Sequence, residues 1–245
     1  MSNERTLQPI VVLISGRGSN MRTLVEHSRA DARAYEVVRV LSDKPAAAGL
    51  ALARDLGVPA AAVPASGGAA GNPSGRAEYD RRLAAAIDEC APALIVLAGF
   101  MRILSPEFVN RYAGRIVNIH PSLLPKYPGL HTHRAVLAAG DPVHGATVHF
   151  VTAKLDGGPP IIQAVVPVRP DDDEATLAAR VQAEEHHIYP LAVDWYCAGR
   201  LRCRESRAWL DGEALSSPVR YDGGDLRGRD QPDRASPGGA PARNR

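Results

Sequence analysis

The chain has 245 residues, 45% of them apolar, and a formal net charge of +2. That allows one large domain or two small ones, and a near-neutral body argues against broad binding to a phosphate backbone. The three cysteines, Cys90, Cys197 and Cys203, lack disulfide-framework or zinc spacing, and the longest apolar run, ALIVLAGFM, is far short of the roughly 20 residues a membrane span needs.

Taken in chain order, short β-rich runs alternate with helical patterns. The N-terminus, MSNERTLQP, is polar and carries no signal-peptide pattern, so a soluble cytoplasmic protein is expected. PIVVLIS (9–15) reads as a buried strand and SNMRTLVEHSR (19–29) as a helix with Ser19 or Asn20 near its cap. EVVRVLSD (36–43) is a second strand, GLALARDLG (49–57) a helix closed by glycine, and AAAVPA (60–65) a weak third strand. SGGAAGNPSG (66–75) reads as a flexible loop before an amphipathic helix over 76–91. ALIVLAGF (93–100) and RIVNIH (115–120) are central strands. GATVHFVT and PIIQAVVPV form an antiparallel pair, followed by a long helix near 173–198 and a last edge strand in RLRCRESRAWL. The expected fold is α/β: a doubly wound, mostly parallel open sheet of about seven strands, Rossmann-related, with an antiparallel C-terminal part. Residues 223–245 hold eight Gly or Pro and, with five Arg against three Asp, the whole net charge. They read as a disordered tail behind a domain spanning 1–222.

Two stretches carry chemistry. GRGSN joins the first strand to the first helix, where glycines admit close backbone approach and the helix N-terminus favours a phosphate. A dinucleotide site would need a third glycine where Met21 stands, although Asp43 lies where a ribose-binding acid would go. A mononucleotide-type cradle with Ser19 and Asn20 as donors, or a turn with no ligand, are the other readings. In NIHPSLLPKYPGLHTH, Asn118 and His120 share one face of a strand and are followed by Pro121, Pro125 and Pro128. If Asp156 in LDGGP faces that strand end, an amide and an imidazole can donate to a developing oxyanion beside a carboxylate that takes a proton. That set suits acyl transfer to an amine. A serine hydrolase fits less well, since no G-x-S-x-G elbow is present. His131 with His133, and His186 with His187, lack a third metal ligand, so no metal is expected.

VVLISGRGSN, VLAGFMRILSPEFVNRYAGRIVNIHPSLLPKYPGLHTH, HGATVHFVTAKLDGGPPIIQ and VQAEEHHIYP together resemble the phosphoribosylglycinamide formyltransferase family over about residues 9–212. The KYPGLHTH continuation and the short polar tail separate the chain from methionyl-tRNA formyltransferase. A first strand near residue 9 separates it from the formyltetrahydrofolate hydrolases with their N-terminal regulatory domain. The resemblance implies formyl transfer from 10-formyltetrahydrofolate, as cosubstrate, to the amine of glycinamide ribonucleotide in purine synthesis, without nucleic acid or membrane, by a monomer or homodimer. It implies Asn118, His120 and Asp156 as the catalytic set. It places the ribotide at Gly18, Ser19, Asn20, Gln182, Ala183, Glu184 and Glu185, with Glu185 on the ribose. It places folate at Met101, Arg102, Ile103 and Leu104, at Thr152, Ala153, Lys154, Leu155 and Asp156, beside Asn118, and at Arg76. Two readings from other classes remain open on the residues alone: an NAD-dependent oxidoreductase built on the first loop, and a ligand-binding module with silent catalytic residues.

Overall fold

The computed structural model describes residues 6–30, 33–64 and 73–223. Eight strands form one sheet in the order β11-β7-β6-β5-β4-β1-β2-β3. β1 (Gln8–Ile14), β2 (Tyr35–Ser42), β3 (Ala60–Ala62), β4 (Leu94–Leu97) and β5 (Ile116–His120) run parallel. β6 (Val143–Phe150) is antiparallel to both β5 and β7 (Pro160–Pro167), and β11 (Val219–Tyr221) runs parallel to β7.

Strand alternation gives the sheet two apolar faces, and helices cover both. Ile10, Val12 and Ile14 of β1 pack with α1 (Ser19–Ser28), α2 (Ala48–Asp55) and α6 (Glu174–Cys197). Val11 and Leu13 pack on the other side with α3 (Pro73–Asp88) and α4 (Pro106–Arg111). This is why the parallel strands read as unbroken apolar runs. The chain winds from β1 outward through β2 and β3, then returns to β4 on the opposite side of β1. The chain leaving β1 and the chain leaving β4 therefore lead to helices on opposite faces, and the crevice at that switch point is where open α/β sheets bind ligands.

The main sheet thus holds eight strands, one more than expected. RLRCRESRAWL is not one edge strand. It folds as a hairpin of β8 (Leu201–Arg204) and β9 (Arg207–Leu210), which joins β10 (Glu213–Ala214) in a separate three-stranded antiparallel sheet. Glu205 and Ser206 turn the chain with φ of 50° and 58°, the left-handed pair a two-residue hairpin requires. Two short helices were not foreseen: α4, and α5 (Thr132–Ala139) inside the stretch after the third proline. α1 is capped by Gly18 rather than by Ser19 or Asn20. The expected loop falls mostly on residues outside those described, as does the expected tail beyond Gly223. Among the described residues, no helix is long and apolar enough to cross a membrane.

Candidate active site

β5 carries Asn118 and His120 to the carboxyl end of the sheet, on the face that α3 and α4 cover lower down. Both side chains leave the strand where that cover stops. The loop that follows is held by side chains rather than by secondary structure. The Ser122 hydroxyl donates to the Lys126 carbonyl at 2.7 Å, the Leu124 N–H donates to Thr147 Oγ1 at 3.1 Å, and Gln163 Nε2 donates to the Leu124 carbonyl at 2.8 Å. Folded back this way, the loop presents its Tyr127 carbonyl to His120 Nε2 at 2.9 Å. A carbonyl only accepts, so Nε2 carries the proton, and Nδ1 is left facing Asp156.

Asp156 lies in the turn between β6 and β7, with φ 47°. Its Oδ2 is 3.6 Å from His120 Nδ1 and accepts the Gly129 N–H at 2.8 Å. The β6–β7 turn needs a glycine at 158, where a Cβ would come within 1.9 Å of the Phe150 carbonyl. That same carbonyl accepts His149 Nδ1–H at 2.9 Å. His149 Nε2 is consequently an acceptor, and Asn118 Nδ2 donates to it at 3.2 Å. Burial pushes the His149 imidazole below its ordinary range, in keeping with a neutral ring that accepts from the amide. With His149 Nε2 also 3.8 Å from Asp156 Oδ1, the residues Asn118, His149, Asp156 and His120 close a ring at one end of β5 and β6.

Sequence reasoning named three of these four residues. His149 escaped it because its role depends on the antiparallel register that sets Asn118 opposite His149 and His120 opposite Thr147. The alternating pattern of TVHF was visible; the strand it would pair with was not.

A cavity of about 110 Å³ opens beside the ring. Arg102, Ile103 and Leu104 line one wall, and Thr152, Ala153, Lys154, Leu155 and Asp156 another, with Asn118 and His149 at the end. The structure brings together nearly the whole expected folate set. Met101 and Arg76 do not line this cavity: Met101 is exposed, and Arg76 stands exposed on the first turn of α3. Arg102 is fixed by its guanidinium, which sits 4.3 Å from the centre of the Tyr79 ring.

The expected ribotide residues meet from opposite ends of the chain. Asn20 Nδ2 donates to Glu185 Oε2 at 2.7 Å, and Gln182 Nε2 donates to Ser19 Oγ at 3.0 Å. Gln182 and Glu185 are three apart on α6 and so share the face turned toward α1. Ala183 and Glu184 point elsewhere; Ala183 is exposed, and Glu184 lies 3.5 Å from His187 Nδ1. Gly18 takes φ 80°, and a Cβ there would come within 3.0 Å of both the Gly49 Cα and the Met21 side chain. The turn is thus pressed against α2, leaving the first N–H groups of α1 at the crevice, where an anion is favoured. Asp43 is not presented to a ribose: it is buried and accepts the Ser15 hydroxyl at 2.6 Å, while Ser15 Oγ accepts the Met101 N–H at 2.9 Å. That bridge ties the β1 and β4 loops together and removes the ground for a dinucleotide site.

His133 Nδ1 lies 3.1 Å from His144 Nε2, and among the described residues no group of three or more His, Cys, Asp or Glu side chains could hold a metal ion.

Residues 8–193 match the family model described as formyl transferase. The chain is 53% identical to the phosphoribosylglycinamide formyltransferase of Escherichia coli over 206 residues, 84% of this chain and 95% of that one. It is 42% identical to the protein of the same name from Haemophilus influenzae over 209 residues, 85% of this chain and 96% of that one. Among solved structures, the phosphoribosylglycinamide formyltransferase of Coxiella burnetii superposes with a TM-score of 0.81 at 44% identity, covering 88% of this chain and 100% of that one.

Proposed function

The chain belongs to the formyl transferase family, and on that premise we propose that it moves the formyl group of 10-formyltetrahydrofolate to the amine of glycinamide ribonucleotide, a step of purine biosynthesis carried out in the cytoplasm. The observation that carries this reading is the ring of Asn118, His149, Asp156 and His120 beside the cavity between residues 102–104 and 152–156. The pterin enters that cavity. The ribotide phosphate rests on Gly18, Ser19 and Asn20, with its ribose on Glu185.

The amine attacks the formyl carbon, and the carbonyl oxygen becomes negative. With Nε2–H held by the Tyr127 carbonyl, His120 acts as the doubly protonated imidazolium, and its Nδ1–H and the Asn118 Nδ2–H are aimed at the space in front of Asp156, where that oxygen would sit. The Asp156 carboxylate takes the proton that the attacking nitrogen must lose and passes it to the departing N10 of the folate. The new C–N bond forms, the bond to N10 breaks, and the products are the formylated amide and tetrahydrofolate. His149 keeps the Asn118 amide from rotating away.

The test is the absorbance change when protein, formylfolate and ribotide are mixed, followed by steady-state kinetics on variants. Asn118→Ala and His120→Ala should each lower kcat by about 10²-fold or more, the scale of a lost oxyanion donor. KM for both substrates should move little, because these groups act on charge that appears only in the transition state. A kcat within twofold of wild type in either variant would refute the assignment.

A further inference from the structure

The carbonyl that meets His120 belongs to Tyr127, a residue with φ 54°. L-residues other than glycine rarely hold that conformation unless their surroundings enforce it. Pro128 disfavours the right-handed helical region for the residue before it, which restricts Tyr127 without selecting the left-handed one. The side chain supplies the rest. Tyr127 Oη donates to Asp141 Oδ2 at 2.7 Å, and Lys126 Nζ donates to the same oxygen at 2.8 Å. Asp141 immediately follows Gly140, the C-cap of α5, so the acceptor stands in the short connection from α5 to β6. The hydrogen bonds from Lys126 and then Tyr127 hold the Asp141 carboxyl below the usual carboxylate range, so it is ionised wherever the protein is neutral or alkaline. On the other side, Ser122 Oγ grips the Lys126 carbonyl, and the Ser122 carbonyl accepts the Thr147 hydroxyl at 2.6 Å. Residues 126–127 are therefore gripped from both β6 and the end of α5.

We infer that Tyr127 and Asp141 are positioning residues for the formyl-transfer reaction: their hydrogen bond aims the Tyr127 carbonyl at His120 Nε2 and so fixes the tautomer and ring orientation of the histidine. The inference rests on the catalytic reading of His120 for its kinetic consequence, but not for its structural one. With Nε2 committed to a carbonyl, Nδ1 is the nitrogen left for the reacting oxygen and Asp156. Without the clamp, the carbonyl can swing away and the ring can take the other tautomer or turn over, in which case Nδ1 no longer faces the substrate.

The deciding measurement is nitrogen NMR of the histidine rings in the unliganded full chain at about pH 8, where an ordinary imidazole is neutral. Wild type should report His120 as the Nε2-protonated tautomer. Tyr127→Phe, which removes one hydroxyl, and Asp141→Ala, which removes its acceptor, should each shift that signal toward a mixture. Each should lower kcat about tenfold, the scale of one lost hydrogen bond, with KM for both substrates within about twofold. The double variant should be no slower than either single one, because both remove the same contact. A purely structural contact would lower melting temperature in these variants without moving the tautomer signal. An unchanged His120 signal in both variants, or kcat losses that multiply in the double variant, would overturn the clamp. If His120→Ala instead keeps full kcat, the catalytic reading fails while the tautomer measurement still judges the clamp. Should Asp141→Ala fold poorly, Tyr127→Phe alone decides.

Discussion

Glu185 sits 7% exposed between α1 and α6, and burial pushes its carboxyl above the usual range, opposed by the hydrogen bond from Asn20. The sign of its effect on stability follows from linkage. An unfolded glutamate titrates near 4.3, so above that pH the unfolded chain releases a proton that the folded chain holds more tightly. The folded state is therefore penalised as pH rises from about 4.3 through the raised value, and the penalty is absent below both. Glu185→Gln removes the titration and keeps an oxygen to accept from Asn20. It should raise the melting temperature at neutral pH and leave it near wild type at about pH 4. If Glu185 meets the ribose, the same variant should raise the ribotide KM and spare the folate KM. An equal change in melting temperature at both pH values would show that ionisation of this carboxyl is not what costs stability.

The turn between β6 and β7 shows how an element sets the site. Gly158 has no room for a Cβ, which would meet the Phe150 carbonyl at 1.9 Å. At Gly157 the three atoms nearest an added Cβ all belong to the exposed Lys154 side chain, at 2.5–3.0 Å, and a rotation of that chain relieves them at less cost than moving a backbone carbonyl. Gly158→Ala should therefore cost about 1–3 kcal/mol, the range for forcing an extra carbon into a packed place, whereas Gly157→Ala should cost distinctly less. Because the displaced carbonyl also orders His149, kcat should fall in Gly158→Ala and hold in Gly157→Ala. Comparable losses in chemical denaturation for the two would contradict this reading of the turn. The same turn marks the boundary of what the sequence discloses. LDGGP announces a tight turn, and the spacing of Asn118 and His120 announces a shared strand face, since both are local facts. That Asp156 lies 3.6 Å from His120 is a fact of strand order and register. The parallel strands were legible because both of their faces are buried. α4 was missed although Ser105 caps it by accepting from Phe108 N–H and Pro106 opens it, because its six residues show no periodicity. The β8–β9 hairpin was missed because Glu205 and Ser206 are not the residues that usually take a left-handed pair. The next turn, at Asp211 and Gly212, uses the usual Asp-Gly pair with φ of 52° and 88°.

At the scale of the whole molecule, the sheet must close off its edges while leaving its carboxyl end open for ligands. Both outermost strands are short: β3 and β11 have three residues each. β11 lies along β7 with Val219 opposite Ile162 and Tyr221 opposite Ala164, and both side chains pack against the larger core. Tyr221 also packs beside His187 of α6, with ring centres 5.8 Å apart and planes tilted by 36°. This strand covers the outer hydrogen-bonding edge of β7, an eight-residue strand that would otherwise offer a template for a second chain. Two chains ending at Pro218 and at Gly223 differ by β11 and two residues beyond it. The shorter should lose the burial of two half-buried apolar side chains, about 2 kcal/mol together. For a domain of this size, that lowers the melting temperature by roughly 4–8 °C. It should also associate at concentrations where the longer chain stays dispersed, read by sedimentation velocity. Below its melting range, however, the shorter chain should keep kcat within about twofold, a difference far smaller than the roughly 10²-fold cost of a lost oxyanion donor. Asn118, His120 and His149 of the ring stand on β5 and β6, Asp156 stands in the β6–β7 turn, and β7 lies between β6 and the missing strand. Equal melting temperatures would show that β11 contributes no stability, and a large loss of kcat in a folded Pro218-ending chain would show that the edge reaches the site through β7.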